Sequence, residues 1–187
     1  MRVFGIDPGS DRTGYGCIDS DGRRHQLVGC GAVRTMDGAT FPGQLLIIYR
    51  ELRALLEEHR PECVAIENIF YAMNARSALR LGHARGVAML AAIETGVPVV
   101  EYTPAEIKRA VVGYGRAEKP QVGQMVKLLL GLDSIPKPHD AADALAVAIC
   151  HLHHGVKVSA TVRKKNTVSG TVRSWRDYRP STRNGSR

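Results

Sequence analysis

Four carboxylates in this chain stand where elements of structure should begin or end. Asp7 closes the run Gly5-Ile6-Asp7-Pro8-Gly9-Ser10, Glu67 closes the apolar run Val64-Ala65-Ile66, and Asp140 and Asp143 stand three apart in His139-Asp140-Ala141-Ala142-Asp143-Ala144. An Asp before Pro-Gly is, taken singly, an ordinary turn former. A Glu ending a strand buried on both faces is less ordinary, because its charge must reach the sheet edge or be paired. In a helix, Asp140 and Asp143 point the same way and repel unless a cation or the helix N-terminus offsets them. Both fall in the first turns among alanines, which let another element pack closely, so the pair alone fits dipole compensation and metal binding equally well. Taken together, four carboxylates on strand ends and a helix start suit Mg²⁺, which takes oxygen ligands and keeps several waters. Two such ions close together activate a water on one side of a phosphodiester and stabilise the leaving oxygen on the other.

Other side chains offer chemistry around that set. Lys119 follows the Gly113-Tyr114-Gly115 loop and is placed to neutralise transition-state charge; its plain reading is an exposed lysine at a helix start. Phe70 and Tyr71 come directly after the Glu67 strand end in a segment with Asn74 and Arg76, a combination suited to stacking on an unpaired base. The alternative for Phe70 is a loop aromatic tucked into the core. His139 either orients a water or ligand or is simply solvated after Pro138. Cys150, His151, His153 and His154 resemble a metal cluster, but they end a helical pattern, where histidines suit the negative end of the dipole, and lack a second ligand pair at zinc spacing. Cys17, Cys30, Cys63 and Cys150 include no C-x-x-C pair and read as buried free thiols. Gly82 and Gly86, four apart, permit close approach of a neighbour, either the sheet or a second copy's helix.

The elements that must position these groups follow from periodicity and turn residues. Residues 2–7 read as a strand, 15–19 as a second, Asp21-Gly22 as a hairpin turn and 25–35 as a third, giving three antiparallel strands at the front. From 41 to 59, Leu45, Ile48, Tyr49, Leu52, Leu55 and Leu56 recur at three- and four-residue spacing, which predicts an amphipathic helix. Residues 63–67 form a short strand, 78–95 a helix closed by Gly96-Val97-Pro98, and 97–102 another strand. Thr103 caps a short helix over 104–112, and helices over 119–130 and 139–154 complete an α/β pattern with a mixed sheet.

Charge divides the chain. Lys and Arg number 26 against 18 Asp and Glu, a formal net charge of +8. Nine of those basic residues and one acid, Asp177, fall in residues 156–187, which leaves 17 of each sign in residues 1–154. The predicted organisation is one ordinary globular domain over residues 1–154 and a basic, flexible tail over 155–187 whose Ser, Thr, Arg, Lys, Asn and Gly composition is that of a linker. Lys164-Lys165 and spaced arginines with Trp175 and Tyr178 suit sequence-independent contact with a nucleic-acid backbone. No apolar stretch approaches the length of a membrane span and the N-terminal residues lack a signal-peptide core, so the expected location is cytoplasmic.

The motifs have a family likeness. Gly5-Ile6-Asp7-Pro8-Gly9-Ser10 with Thr13-Gly14-Tyr15-Gly16, Ala65-Ile66-Glu67 with Phe70 and Asn74, Ala84-Arg85-Gly86, Ala117-Glu118-Lys119 with Gln121-Val122, and Asp140-Ala141-Ala142-Asp143-Ala144-Leu145-Ala146 resemble, in order and spacing, the RuvC family of Holliday junction resolvases. The resemblance covers residues 1 to about 154. It implies an RNase H-like mixed sheet, three antiparallel front strands and then parallel strands, flanked by helices. It implies that Asp7, Glu67, Asp140 and Asp143 are metal-binding catalytic carboxylates for Mg²⁺, two ions per site, with Mn²⁺ able to substitute. It further implies that Lys119 and Lys108 are basic positions near the scissile phosphate, that Phe70 meets DNA bases with Tyr71 and Arg76 beside it, and that the products carry a 5′-phosphate and a 3′-hydroxyl. The implied partners are four-way junction DNA, a second copy of the chain, and the RuvA and RuvB branch-migration proteins.

Two other functions share parts of this pattern. Gly-Ile-Asp-x-Gly with Thr13-Gly14 also resembles the phosphate-binding hairpin of actin-like and sugar-kinase-like ATPases, which need a second such domain to close over nucleotide. A non-catalytic nucleic-acid-binding module of the same fold is the other. Four retained carboxylates weigh against it, because they repel phosphates unless a metal intervenes.

Overall fold

The protein is described by a computed structural model covering residues 1–36, 38–68 and 74–154. Phe70, Tyr71 and the basic tail lie outside the described residues. The elements run β1 (Arg2–Asp7), β2 (Arg12–Ser20), β3 (His25–Arg34), α1 (Phe41–His59), β4 (Cys63–Glu67), α2 (Ala75–Glu94), β5 (Val99–Tyr102), α3 (Pro104–Val112), α4 (Lys119–Leu129) and α5 (His139–His154). They form one sheet in the order β3-β2-β1-β4-β5, with β2 antiparallel to both its neighbours and β1, β4 and β5 mutually parallel. Three antiparallel strands followed by parallel ones is the mixed sheet expected.

Alternation along β1 divides the core into two layers. Phe4 and Ile6 pack with Ile48, Leu52 and Leu56 of α1 and with Ala84, Ala88 and Ala91 of α2. On the opposite face Val3 joins Ile18 and Ala65 against Leu145 and Ile149 of α5, Ile107 of α3 and Val126 of α4. Asp7 shares its parity with Val3, and Glu67 with Ala65, so both carboxylates project to the α5 side.

Caps explain most helix boundaries. The Thr40 hydroxyl accepts from the Gly43 amide at the start of α1. Thr103 and Glu106 form a reciprocal capping box on α3, and Gly113 at φ 95° ends that helix in the left-handed region. Helix α2 begins at Ala75 rather than 78, because Asn74 Oδ1 accepts from the Ser77 amide at 2.8 Å and caps an earlier turn. β2 begins at Arg12 rather than 15, since pairing with β1 and β3 on both sides carries Thr13 and Gly14 into the ladder. β5 begins at Val99 rather than 97, because the Val97 amide still closes α2 by donating to Ala92 O at 3.2 Å. Among the described residues no helix is long and apolar enough to cross a membrane.

Candidate active site

The central strands carry the first two carboxylates to one edge. β1 and β4 are parallel and register Ile6 beside Ile66, so Asp7 and Glu67, one residue further, stand side by side at adjacent C-terminal strand ends. A crevice outside the carboxyl ends of parallel strands is where open α/β sheets place their chemistry.

Glycines bring the helical pair to that edge. A Cβ on Gly5 would sit 2.0 Å from the Ala144 carbonyl oxygen, and one on Gly14 2.1 Å from the Asp140 carbonyl oxygen and 3.1 Å from Asp140 Cβ. Helix α5 thus lies against bare backbone on β1 and β2. Gly14 is the cross-strand partner of Asp7, so the same packing that seats α5 sets Asp140 above the neighbour of Asp7. One turn on, Asp143 faces Asp7, Glu67 and Lys119 closely enough to act on the charge of each.

The electrostatics of the cluster are unfavourable without a cation. The Asp7 carboxyl is pushed well above the usual carboxylate range by burial first, then by the charges of Glu67 and Asp143. Glu67 is also raised by burial, with the hydrogen bond from Asp7 opposing that rise. Both carboxyls are therefore pushed toward the protonated form, Asp7 the more strongly. Two half-buried acids side by side, both pushed toward the neutral form, indicate a place prepared for positive charge.

Lys119 supplies part of it. It is the first residue of α4, its side chain is 79% exposed, and its Nζ donates to Asp143 Oδ2 at 2.9 Å. It is thus at once an exposed helix-start lysine and a group that reaches the carboxylates. That hydrogen bond, then the surrounding acids, raises the ammonium's pKa, so it stays charged. Lys108 lines, with Glu67, Lys119 and Asp143, a cavity of about 60 Å³, room for a few waters. On the other side of Lys119 a cleft of about 340 Å³ is lined by Gly123, Ile135, His139 and Asp143. His139 is exposed at the start of α5. Arg76 is exposed in the first turn of α2, two residues after Asn74.

The donor set fits a hard divalent cation. Among the described residues no three His, Cys, Asp or Glu side chains close into a ready-made cage. Mg²⁺ does not ask for one, since it is held by one or two carboxylates with waters and substrate phosphate oxygens completing the octahedron. The cysteine and histidine group at the end of α5 is split between other partners: His151 Nδ1 pairs with the Tyr102 hydroxyl at 2.8 Å, His153 Nδ1 with Ala110 O at 2.9 Å, and Cys150 Sγ lies 3.6 Å from His154 Nδ1. All four cysteines are free, and Cys17, Cys63 and Cys150 are buried.

Sequence reasoning missed the parts that act through packing. Gly5 and Gly14 as a bed for α5 had a readable signal, glycine inside a strand pattern, which marks close backbone approach. The Arg85 guanidinium, paired with Glu101 at 2.7 Å through Nε, ties α2 to β5. Nothing in the spacing of residues 85 and 101 announces that pair.

Comparison with known proteins is consistent along the chain. The family model described as crossover junction endodeoxyribonuclease RuvC matches residues 3–151. A crossover junction endodeoxyribonuclease RuvC of Pelotomaculum thermopropionicum is 52% identical over 154 residues, 82% of this chain and 94% of that one. Its counterpart from Syntrophomonas wolfei is 48% identical over 173 residues, 92% of this chain and 100% of that one, so the likeness continues past residue 154. The structure of Thermus thermophilus RuvC in complex with Holliday junction substrate superposes with a TM-score of 0.79 at 36% identity, covering 83% of this chain and 94% of that one.

Proposed function

The chain belongs to the RuvC family of crossover junction endodeoxyribonucleases, and from that membership we propose that Asp7, Glu67, Asp140 and Asp143 are its metal-binding catalytic carboxylates. The protein is a divalent-metal-dependent endonuclease that resolves four-way Holliday junctions in DNA recombination and repair. The observation that carries the assignment of residues is the half-buried Asp7–Glu67 pair at adjacent parallel strand ends, with Asp143 acting on both.

The ion is Mg²⁺, two per site, with Mn²⁺ as a substitute, because the ligands are oxygens alone. Bound there, it supplies Lewis-acid stabilisation of the phosphodiester and lowers the pKa of water. The chain's own contribution is positional: the four carboxylates order the attacking water in line with the leaving oxygen, and Lys119, with Lys108 behind it, offsets the charge that develops on the phosphoryl oxygens. Hydrolysis leaves a 5′-phosphate and a 3′-hydroxyl. Phe70 and Tyr71 stack on bases opened at the branch point and Arg76 meets the backbone.

Paired symmetric nicks need two equivalent sites, which a two-fold homodimer supplies. Helix α2 presents the surface for it. Leu79 and Leu90 are 65% and 53% exposed and flank a groove of about 450 Å³ floored by Gly82 and Gly86, where an added Cβ would meet nothing within 4 Å. Residues 1–154 act as the RNase H-like nuclease domain and 155–187 as a basic tail that holds DNA. The enzyme works in the cytoplasm with RuvA and RuvB, which deliver the junction.

The test is cleavage of a synthetic four-way junction and a matching linear duplex by purified protein, with Mg²⁺ and with EDTA. Paired nicks related by two-fold symmetry, confined to the junction and dependent on the metal, are expected. Equal cutting of the duplex, or nucleotide hydrolysis without DNA, would contradict the proposal.

A further inference from the structure

At the opposite end of α5 from the carboxylates, two histidines stand ring against ring. His25 opens β3 and His153 lies in the last turn of α5, with ring centroids 5.5 Å apart and planes at 41°. Each is held by its Nδ1. His153 Nδ1 is 2.9 Å from Ala110 O; a carbonyl only accepts, so this nitrogen carries the hydrogen and the neutral ring presents a bare lone pair at Nε2. His25 Nδ1 is 2.9 Å from Ser20 Oγ, which also accepts the Gly22 amide at 3.0 Å. The hydroxyl oxygen has a lone pair for each bond, and in the tautomer whose Nδ1–H donates to it the His25 Nε2 is the second bare nitrogen, the form that a cation selects. Fixing one ring nitrogen by a backbone or hydroxyl partner is how metal-ligating histidines are oriented.

We propose that His25 and His153 form a second cation site, a nitrogen-donor site for a borderline transition-metal ion such as Zn²⁺ or Ni²⁺. With Zn–N bonds of about 2.0–2.1 Å, two nitrogens on one tetrahedral ion stand roughly 3.3 Å apart. Imidazoles at this separation reach that span when both Nε2 atoms turn inward. Ligation requires uncharged rings, and burial, then the neighbouring His153, lowers the His25 pKa. Among the described residues no third protein ligand closes the site, so waters complete the shell and the ion exchanges readily. Imidazole selects Zn²⁺, Ni²⁺ or Cu²⁺ where carboxylate oxygens select Mg²⁺, so the two sites are separated by chemistry as well as by roughly 15 Å of helix. The ion joins the last turn of α5 to the first residue of β3. It clamps the helix that carries Asp140 and Asp143 without reaching the scissile phosphate.

The experiment is thermal denaturation and calorimetric titration of the untagged full-length protein with ZnCl₂ and NiCl₂, in saturating Mg²⁺ so that the carboxylates are engaged. The expected result is one ion per chain and a midpoint rise of roughly 3–6 °C at ten times the dissociation constant. That rise is lost in His25→Asn and in His153→Asn and kept in His154→Asn. Because the variants can differ in basal stability, the metal-induced increment is the quantity compared. Long-range ¹H–¹⁵N spectra of the wild-type histidine rings give a variant-free reading, with Zn²⁺ shifting Nε2 of His25 and His153. No rise in the wild type, a rise unchanged in both variants, or shifts confined to His151 and His154 would overturn the proposal.

Discussion

Burial and the charge of Glu67 keep the Asp7 carboxyl protonated well above the usual carboxylate range. A carboxyl whose folded pKa exceeds its unfolded one binds more protons when folded. The contribution of Asp7 to the stability of the metal-free protein is therefore greatest below the ordinary carboxylate pKa of about 4, declines as pH rises from there to the raised folded value, and stays at the lower level above it. Asp7→Asn keeps the shape and the donor toward Glu67 while removing that cost. In EDTA at pH 8 the variant is expected to melt a few degrees above wild type, the gap narrowing as pH falls toward 4, although its cleavage is lost. A lower melting point for the variant at pH 8 would contradict the reading of the pair. Lys119→Met tests the other sign of charge. Its ion pair with Asp143 is largely exposed on the lysine side and so contributes little stability, whereas loss of transition-state charge stabilisation costs on the order of 10²–10³ in rate. Single-turnover cleavage is expected to fall by that factor with the melting point within about 1 °C of wild type.

At the scale of elements, α5 matters through its seat on glycine. Gly14→Ala inserts a methyl 2.1 Å from the Asp140 carbonyl oxygen, a backbone atom that yields only if the helix moves. Overpacking of this kind costs roughly 1–3 kcal/mol, and because the displaced residue is Asp140, cleavage is expected to fall by more than the loss of folded protein. Chemical denaturation beside single-turnover cleavage separates the two, and a variant that is destabilised yet fully active at saturating Mg²⁺ would show that the seat is structural only. The elements themselves were largely legible in the sequence, because Thr40, Thr103 and Gly113 punctuate helices by side-chain or backbone chemistry that acts within a few residues. What was hard to read is what long-range pairing decides. Arg12 to Gly14 join β2 only because strands lie on both sides, and the Arg85–Glu101 tie exists only once α2 crosses β5. The four carboxylates were visible as strand-end and helix-start anomalies. The raised pKa of Asp7 was not, since it follows from burial and from adjacency of β1 and β4, strands 56 residues apart from Asp7 to Cys63 along the chain.

For the whole molecule, the excess charge falls outside the stretch of sequence that carries the four carboxylates. Residues 1–154 carry equal numbers of acids and bases, and the net +8 belongs to the tail. Removing residues 156–187 is expected to weaken junction binding and to reduce the slope of log affinity against log salt by about 0.9 for each duplex phosphate that the tail no longer neutralises, with metal-dependent cleavage retained at high protein. An unchanged slope, or chemistry abolished even at saturation, would contradict that division. Leu90→Glu on the exposed face of α2 is expected to yield monomers in sedimentation velocity and unpaired nicks in place of symmetric pairs. The most direct test of the four-carboxylate site is a single-turnover comparison of wild type with Asp7→Asn, Glu67→Gln, Asp140→Asn and Asp143→Asn on a four-way junction in Mg²⁺, with junction binding measured in parallel. All four variants are expected to bind the junction and to cleave it at least about 10³-fold more slowly. Cleavage at the wild-type rate by any one of them would contradict the assignment.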